Sequence, residues 1–437
     1  MKTLLQNMKK SSFIIICSFF LFPSCNHKDK TQQLPQFSIN LDTNKINIGD
    51  YIDASISYHD NKRSINIDNL PIKIKYRGNA SSHHPKKNFS LKLSEKKCFI
   101  KSSCHKRWKL NAAYTDKTFM RNKLSYDLFN LFSTSSIAPK ISYATVNINN
   151  EYNGIYSVTE RVDNELLKFI KNDTNAVLFK DAPISYPTED HEKRHVDFIA
   201  YSEWAEFYKG FSDKSMKKLI KRVYYNQRFP KIDDSNKKYL IHNLTTFIFN
   251  STDTEFKDKK VFNTYFDIDN IIDWHLLLLI TNNGDGLMKN FYLYRQGTNK
   301  PFKICPWDYD HSFGRDGGGE LNLNEFISLK EIKLLDRLLE TNAFNYREKL
   351  LEKFLLLKKN DVLTKSNIHK MIDNNMAVLE PFIQKNEEKW PLDSIAFFKE
   401  KGNFFSEVIL IKVWVEKRLP KVEKYLQSLQ PVTNNKD

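Results

Sequence analysis

Alternation of apolar and polar residues dominates the first third of the chain. "FSINLD" at 37–42 alternates like an edge strand. "LPIKIKYRGN" sets Ile72, Ile74 and Tyr76 on one face and Lys73, Lys75 and Arg77 on the other. "NFSLKL", with Phe89, Leu91 and Leu93 on one side, and "RWKLNAAY" continue the pattern. These runs predict an antiparallel N-terminal sheet. The period then lengthens: "DKTFMRNKLSYDLFNLF" reads as a helix, with Asp116 as N-cap and Phe119, Leu124, Leu128 and Phe129 near one face. "ISYATVNINNEYNGIYSVTERVDNELLKFI" is a hairpin turning at Gly154, with a helix from about Asp163, and "AVLFK" is a short strand ending at Lys180.

From about 185 to 268 the chain is polar and lysine-rich, with helical stretches such as "SDKSMKKLIKRVYYN" and "SNKKYLIHNLTTFIFN". "IDNIIDWHLLLLI" predicts a buried helix that runs into "TNNGDGLMKNFYLYRQGTNKPFKICPWDYDHSFG", residues 281–314. Beyond 330 the spacing is helical throughout. The order is sheet first and helices last, an α+β chain with two lobes, and a polar segment at their seam, where ligand clefts are commonly found.

The N-terminus breaks from this pattern. Lys2, Lys9 and Lys10 precede the apolar run "SSFIIICSFFLF", and Ser24 precedes Cys25, the layout of a secretory leader over residues 1–24. The site is similar to the lipobox of bacterial lipoproteins, with Phe22 departing from the usual leucine. That similarity implies lipidation at Cys25, a polar tether over 25–36, and a lipid-anchored protein of the bacterial cell envelope facing the periplasm or the surface. No other segment has the uninterrupted apolar length of a spanning helix. Cys98 and Cys104 can close a small disulfide loop in an oxidising compartment, and Cys305 is expected as a buried apolar residue. No Cys/His set has zinc-ligand spacing. A formal net charge of +16 favours anionic partners, although a dispersed solubilising surface accounts for it equally well.

The seam carries the candidate chemistry. The glycine-containing turn "NNGDG" can project Asp285 into a cleft, Asn290 opens the strand "NFYLYR", and Asp308 and Asp310 follow the strand "FKICPW". A carboxylate with an amide oxygen offers the hard oxygen ligands that Mg²⁺ takes while keeping waters and phosphates. A separate carboxylate can accept the proton of a hydroxyl nucleophile. D-x-x-x-x-N followed by a metal-binding Asp is the protein-kinase order for phosphoryl transfer.

Six blocks in sequence resemble the CotH (spore coat protein H) kinase family: "YRGNASSHHPKKNFSLKL", "WKLNAAYTDKTFMRNKLSYDLF", "NGIYSVTERVD", "LFK", "NNGDGLMKNFYLY" and "PWDYDHSFG". They cover about residues 70–315. The resemblance implies a divergent protein-kinase-like fold over 37–430, with an N-lobe at about 37–162, a helical C-lobe at about 163–430, and a disordered tail at 431–437. It implies Asp285 as catalytic base, Asn290 and Asp308 as Mg²⁺ or Mn²⁺ ligands, Asp310 as a further acidic group near the metal, and ATP as donor. Adenine would meet the hinge near Glu160 and Arg161, with Phe302 offering an aromatic face. Arg77, Lys87, Lys92, Arg121 and Lys180 are candidates for the phosphates, though each lysine reads equally well as a solvated surface group. His275, on the leucine-rich helix, reads as a core histidine, and "DGGGE" at 316–320 as a flexible loop.

Three functions fit these residues. The first is an atypical protein kinase acting on Ser or Thr of secreted or envelope proteins, with no nucleic-acid partner. The second is a catalytically inactive surface adhesin or scaffold, favoured by the lack of an obvious ATP supply outside the cytoplasm. The weakest is a metal-dependent phosphohydrolase.

Overall fold

In the computed structural model the described residues are 33–430, except 79, 186, 188–226, 232–233, 317–318, 321–322, 329–331 and 392–401. Cys25, the leader, the tail and the helical stretch expected around 212–226 lie outside them.

The N-terminal lobe closes on itself. Strands β1 (Gln36–Leu41), β2 (Ile52–Asp60), β3 (Ile65–Arg77), β4 (Asn88–Ile100), β5 (Ser103–Asn111), β6 (Ile141–Ile148) and β7 (Glu151–Glu160) form a barrel in the order β1-β2-β3-β4-β5-β7-β6. The expected N-terminal antiparallel sheet is present, and it closes on itself through one parallel pair. β1 pairs antiparallel with β2 on one side and parallel with β6 on the other, so its short run satisfies both free edges. β2 was not anticipated, although Ile52, Ala54, Ile56 and Tyr58 alternate along it. The barrel is filled by its inward-facing positions. Phe37, Tyr58, Phe99 and Trp108 interlock with ring centroids 4.7–5.3 Å apart, and each such pair adds about 0.5–1.5 kcal/mol beyond area burial. Cys98 and Cys104 are joined across the β4–β5 hairpin.

Between β5 and β6 lies helix α1 (Arg121–Phe132), which starts later than expected. Asp116 is not its N-cap residue: that is Met120, which makes no side-chain cap. Asp116 instead accepts from Thr118 N (3.1 Å) and reaches the first helical amide, Arg121 N, at 3.1 Å. The intervening Phe119 adopts a positive φ of 61°, which no α-helix permits.

The C-terminal lobe is mostly helical and carries a four-stranded sheet. That sheet has the order β11-β10-β8-β9, with β8 (Val177–Lys180), β9 (Gln227–Phe229), β10 (Phe291–Arg295) and β11 (Lys303–Pro306). The helices are α2 (Lys238–Asn250), α3 (Asp253–Lys257), α4 (Lys259–Tyr265), α5 (Ile268–Thr281), α6 (Asp285–Met288), α7 (Lys333–Thr341), α8 (Tyr346–Lys359), α9 (Lys365–Lys389) and α10 (Phe404–Ser428). α5 is buried all round. It is capped at its start by the Asp267 side chain and stopped by Asn282 in the left-handed conformation. His275 lies within it, bonded to the Tyr346 hydroxyl at 2.9 Å, and burial drives its imidazole down to about 3. Cys305 is free and buried, as expected. No helix among the described residues is long and apolar enough to cross a membrane.

Lys86 ties the two lobes together. Its ammonium is buried and donates to Ala112 O (2.9 Å), Ile155 O (2.5 Å) and Asn386 Oδ1 (3.0 Å) of α9. The Phe119 and Tyr156 rings flank it at 5.0 and 4.7 Å. Burial, with Lys117 nearby, pushes this lysine well below its usual value. Three oxygens and two ring faces hold it in place of a counter-charge.

Candidate active site

The seam is assembled from strand ends. β10 and β11 pair so that Phe291 faces Pro306 and Tyr292 faces Cys305, which puts Asn290 opposite Trp307; the Trp307 amide donates to Asn290 O at 2.9 Å. Both Asn290 and Asp308 are left-handed, with φ of 61° and 62°. These positions are tolerated because the local bonding fixes them. The Asn290 amide donates to Asp181 Oδ1 at 2.8 Å, and its side-chain Nδ2 donates to Asp308 O at 3.0 Å. Asn290 is thus locked against Asp308, and with its nitrogen committed, Oδ1 is the atom left to face a cation.

Helix α1 grips the same loop from the barrel side. Asp308 N donates to the Tyr126 hydroxyl at 2.8 Å, and Tyr309 N donates to Asn122 Oδ1 at 2.7 Å. The Asp308 carboxylate itself is exposed. Asp310 is half-buried, and its carboxyl is pushed up to about 6, first by burial and then by Asp308 and Asp116, with His311 opposing. Asp285 begins α6, and its carboxylate pairs with Lys289 at 3.2 Å. Behind it, Gly286 lies so close to Leu278 and Tyr309 that a Cβ would meet each at 3.0 Å, which fixes how near α6 approaches the loop.

Above this acidic segment lies a group of cations. Lys109 of β5 places its ammonium 3.8 Å from the centre of the Trp307 ring, and the Arg77 guanidinium lies 5.7 Å from the same ring. Arg77 is oriented by a hydrogen bond to Asn111 Oδ1. Lys180, at the end of β8, pairs with Asp181 at 2.8 Å. Lys109 is held well below the usual lysine value, first by burial and then by the Arg77 and Lys180 cations, with Asp308 only partly offsetting them. Lys180 is the reverse case: burial opposes its charge, yet Asp181 and Tyr292 raise it. Arg228 of β9 joins the group and is lowered by burial, with Asp181 and Tyr292 opposing and Arg161 adding to the fall. Cations that depress one another in this way mark a place suited to an anion of several charges.

The expected residues divide clearly. Asn290, Asp308 and Asp310 adjoin one another, and Arg77 and Lys180 both act on Lys109 in the cation group above Asp308. Lys87 is nearby in sequence but braces the turn after β3, donating to Ser82 O at 2.8 Å. In that turn Gly78 has φ 128°, and a Cβ there would lie 2.4 Å from Ser81 Oγ. Lys92 is exposed on the outer face of the barrel between Lys73 and Arg107, because Leu91 and Leu93 take the inner face. Arg121 is spent on a buried network with Asp116, Glu407 and Ser312 O, leaving no group aimed at a phosphate. Glu160 is buried under the hairpin, accepting from Ser103, His105 (3.4 Å) and Lys140 N (2.7 Å). Burial alone would raise it; those bonds outweigh burial and hold it below the usual carboxylate value. Phe302 packs in the helical-lobe core, bridged to Phe266 and covered by Arg295 at 5.1 Å, so the aromatic at the seam is Trp307.

Lys109, Arg228 and Trp307 were not foreseen. Lys109 sits in "WKLN", where alternation with Trp108 and Leu110 marks it only as outside the barrel core. Nothing local says that the second lobe covers that face.

The sequence model of the CotH kinase protein family matches residues 74–422. The chain belongs to that family. It is 29% identical, over 293 residues, to inner spore coat protein H of Bacillus subtilis (strain 168), covering 67% of this chain and 73% of that protein. The proinflammatory kinase CtkA of Helicobacter pylori aligns over 89% of this chain and 95% of its own, at 10% identity and a TM-score of 0.30, too low to support a shared fold. In this CotH family member the match begins at the end of β3 and runs through the later barrel strands, the seam and most of α10.

Among the described residues no three His, Cys, Asp or Glu side chains form a metal cage. What exists is an exposed Asp308 carboxylate, the free amide oxygen of Asn290 and the nearby Asp310. That set fits a hard cation that completes its shell with water and substrate phosphates, as Mg²⁺ does.

Proposed function

We propose that this CotH kinase family member transfers a phosphoryl group from a nucleotide to a Ser or Thr hydroxyl of an envelope or secreted protein, in a reaction that requires Mg²⁺ or Mn²⁺. The observation that carries this reading is that Arg77 and Lys109 meet at Trp307, with Lys180 and Asp308 both acting on Lys109, next to the Asn290–Asp308 pair. In the kinase-like reading β5 supplies the phosphate-binding lysine of the N-lobe, the role that a strand lysine plays in protein kinases.

The cations would hold the donor's phosphates and neutralise the charge that develops as the group transfers. Asn290 Oδ1 and the Asp308 carboxylate would hold the metal, which supplies charge neutralisation at the phosphates. Asp285 would accept the proton of the attacking hydroxyl as the new oxygen–phosphorus bond forms and the bond to the leaving nucleotide oxygen breaks. Lys289, paired with Asp285 at 3.2 Å, would hold the carboxylate in place. The leader and Cys25 support a lipid-anchored location at the cell envelope, with the donor available either there or before export.

The test is metal-dependent nucleotide binding and autophosphorylation by the purified chain. Failure to bind any nucleotide with Mg²⁺ or Mn²⁺ overturns the kinase reading in favour of a surface-binding module. Unchanged lipid labelling of Cys25→Ala overturns the anchor.

A further inference from the structure

The loop that carries Asp308 is held at its far end by a residue about a hundred positions away. Glu407, in the first turn of α10, is buried and lies between two buried guanidiniums. Its Oε2 accepts from Arg121 Nη2 at 2.8 Å and from Arg315 Nε at 3.1 Å, and its Oε1 accepts from Arg315 Nη2. Arg121 also donates to Asp116 (2.6 Å) and to Ser312 O (3.0 Å). One carboxylate therefore ties α10 to the start of α1 and to the end of the 308–315 segment.

That segment has little internal structure to hold its shape. Asp308, Phe313 and Gly314 all have positive φ, and Gly314 lies so flat on α10 that a Cβ would meet Leu410 at 2.8 Å. Its near end hangs on Tyr126 and Asn122 of α1, and its far end on Arg121 and Glu407. Between them, Phe313 N is bonded to Thr281 O at 2.9 Å. Since Arg121 opens α1, a shift of Glu407 would move both ends of the loop together. Removing one partner from a buried ion network is far costlier than removing a surface pair, so loss of Glu407 would leave two buried guanidiniums short of an acceptor.

We infer that Glu407 is a positioning residue, which fixes the Asp308 loop through Arg121 and Arg315 so that the last helix sets the geometry of the metal-binding end of the site. The inference rests on the proposed phosphotransfer reading only in its functional half.

The experiment compares Glu407→Gln and Glu407→Asp in the full-length chain by amide hydrogen exchange and by nucleotide binding at graded Mg²⁺. Glu407→Gln is expected to speed exchange across 308–315 about tenfold while leaving α5 unchanged. It is also expected to raise half-saturating Mg²⁺ about tenfold while affinity in EDTA stays within about twofold. Glu407→Asp, which keeps the charge, is expected to restore both. A folded Glu407→Gln protein with unchanged loop exchange overturns the inference, as does equal loss of affinity with and without metal. If Glu407→Gln does not fold, Arg315→Lys, which weakens the same tie, is read by the same two outcomes. A wild-type chain that binds no nucleotide overturns the phosphotransfer reading instead, and the exchange result alone then decides whether Glu407 holds the loop.

Discussion

The Lys109 ammonium rests 3.8 Å from the centre of the Trp307 ring, joining a barrel strand to the residue just before Asp308. Through this contact the barrel reaches the acidic loop without a covalent connection. The ring gives the lysine a favourable face while burial, and then the surrounding cations, depress its charge, and an anionic ligand would offset the cations' share.

Replacing Lys109 by Met should therefore weaken nucleotide binding by about 1.5–3 kcal/mol, the worth of a charge-assisted hydrogen bond. Lys92→Met, on the outer face of the same barrel, should leave affinity unchanged. Calorimetric titration of both variants checks this, and equal losses would remove the seam from consideration as the phosphate site.

The two acidic residues should fail differently. Asp285→Asn is expected to bind Mg²⁺-nucleotide normally and lose transfer by about a hundredfold or more, as loss of a general base does. Asp308→Asn is expected to lose the Mg²⁺ dependence of binding itself. Nucleotide titrations with and without Mg²⁺, alongside phosphate transfer, separate the two. Transfer that survives loss of Asp308 contradicts the metal assignment.

Much of this was readable from sequence. The barrel strands other than β2, the leucine-rich helix and the order of Asp285, Asn290 and Asp308 follow from period and spacing. Contacts made across the lobes did not show, because their partners are remote in the chain. Lys109 is legible only as a residue facing away from the barrel core, until Trp307 is folded onto that face. Arg121, a basic residue on an apolar helix, looks like a phosphate ligand until Glu407 arrives from nearly three hundred residues later. Phe302 and Trp307 are both aromatic and five positions apart, and only the β10–β11 pairing tells which one reaches the seam. Closure of the barrel was hidden for the same reason: the parallel β1–β6 pair joins segments about a hundred residues apart.

Stability should also depend on pH through His275. Its folded value of about 3 lies below the ordinary 6.5, so between those limits the unfolded chain binds the extra proton. The His275 contribution is fully present above about pH 6.5 and is lost as pH falls towards 3, by at most ~1.4 kcal/mol per pH unit. Urea unfolding of wild type and His275→Gln between pH 4 and 7 should give curves that diverge upward with pH. Parallel curves would mean that the imidazole is not buried in its neutral form.

Asn386→Leu should destabilise the chain by about 3 kcal/mol, since it deprives both the Lys86 ammonium and the Ile155 amide of an acceptor. The urea midpoint should fall while the Mg²⁺ dependence of nucleotide binding is retained at low denaturant. A midpoint within error of wild type would show that Lys86 is satisfied without α9.

The Lys86–Asn386 bond also bears on the order in which the chain can finish folding. Its partners are separated by 300 residues, so a chain emerging from its N-terminal end has every barrel strand in hand while the last acceptor for Lys86 is still unmade. Until α9 arrives, the ammonium must stay hydrated, and the Phe119 and Tyr156 rings beside it stay wet. Any product cut short before residue 386 would carry a barrel with an open, aromatic-walled socket around a charged lysine. Completion of the first lobe is thereby made conditional on synthesis of the last.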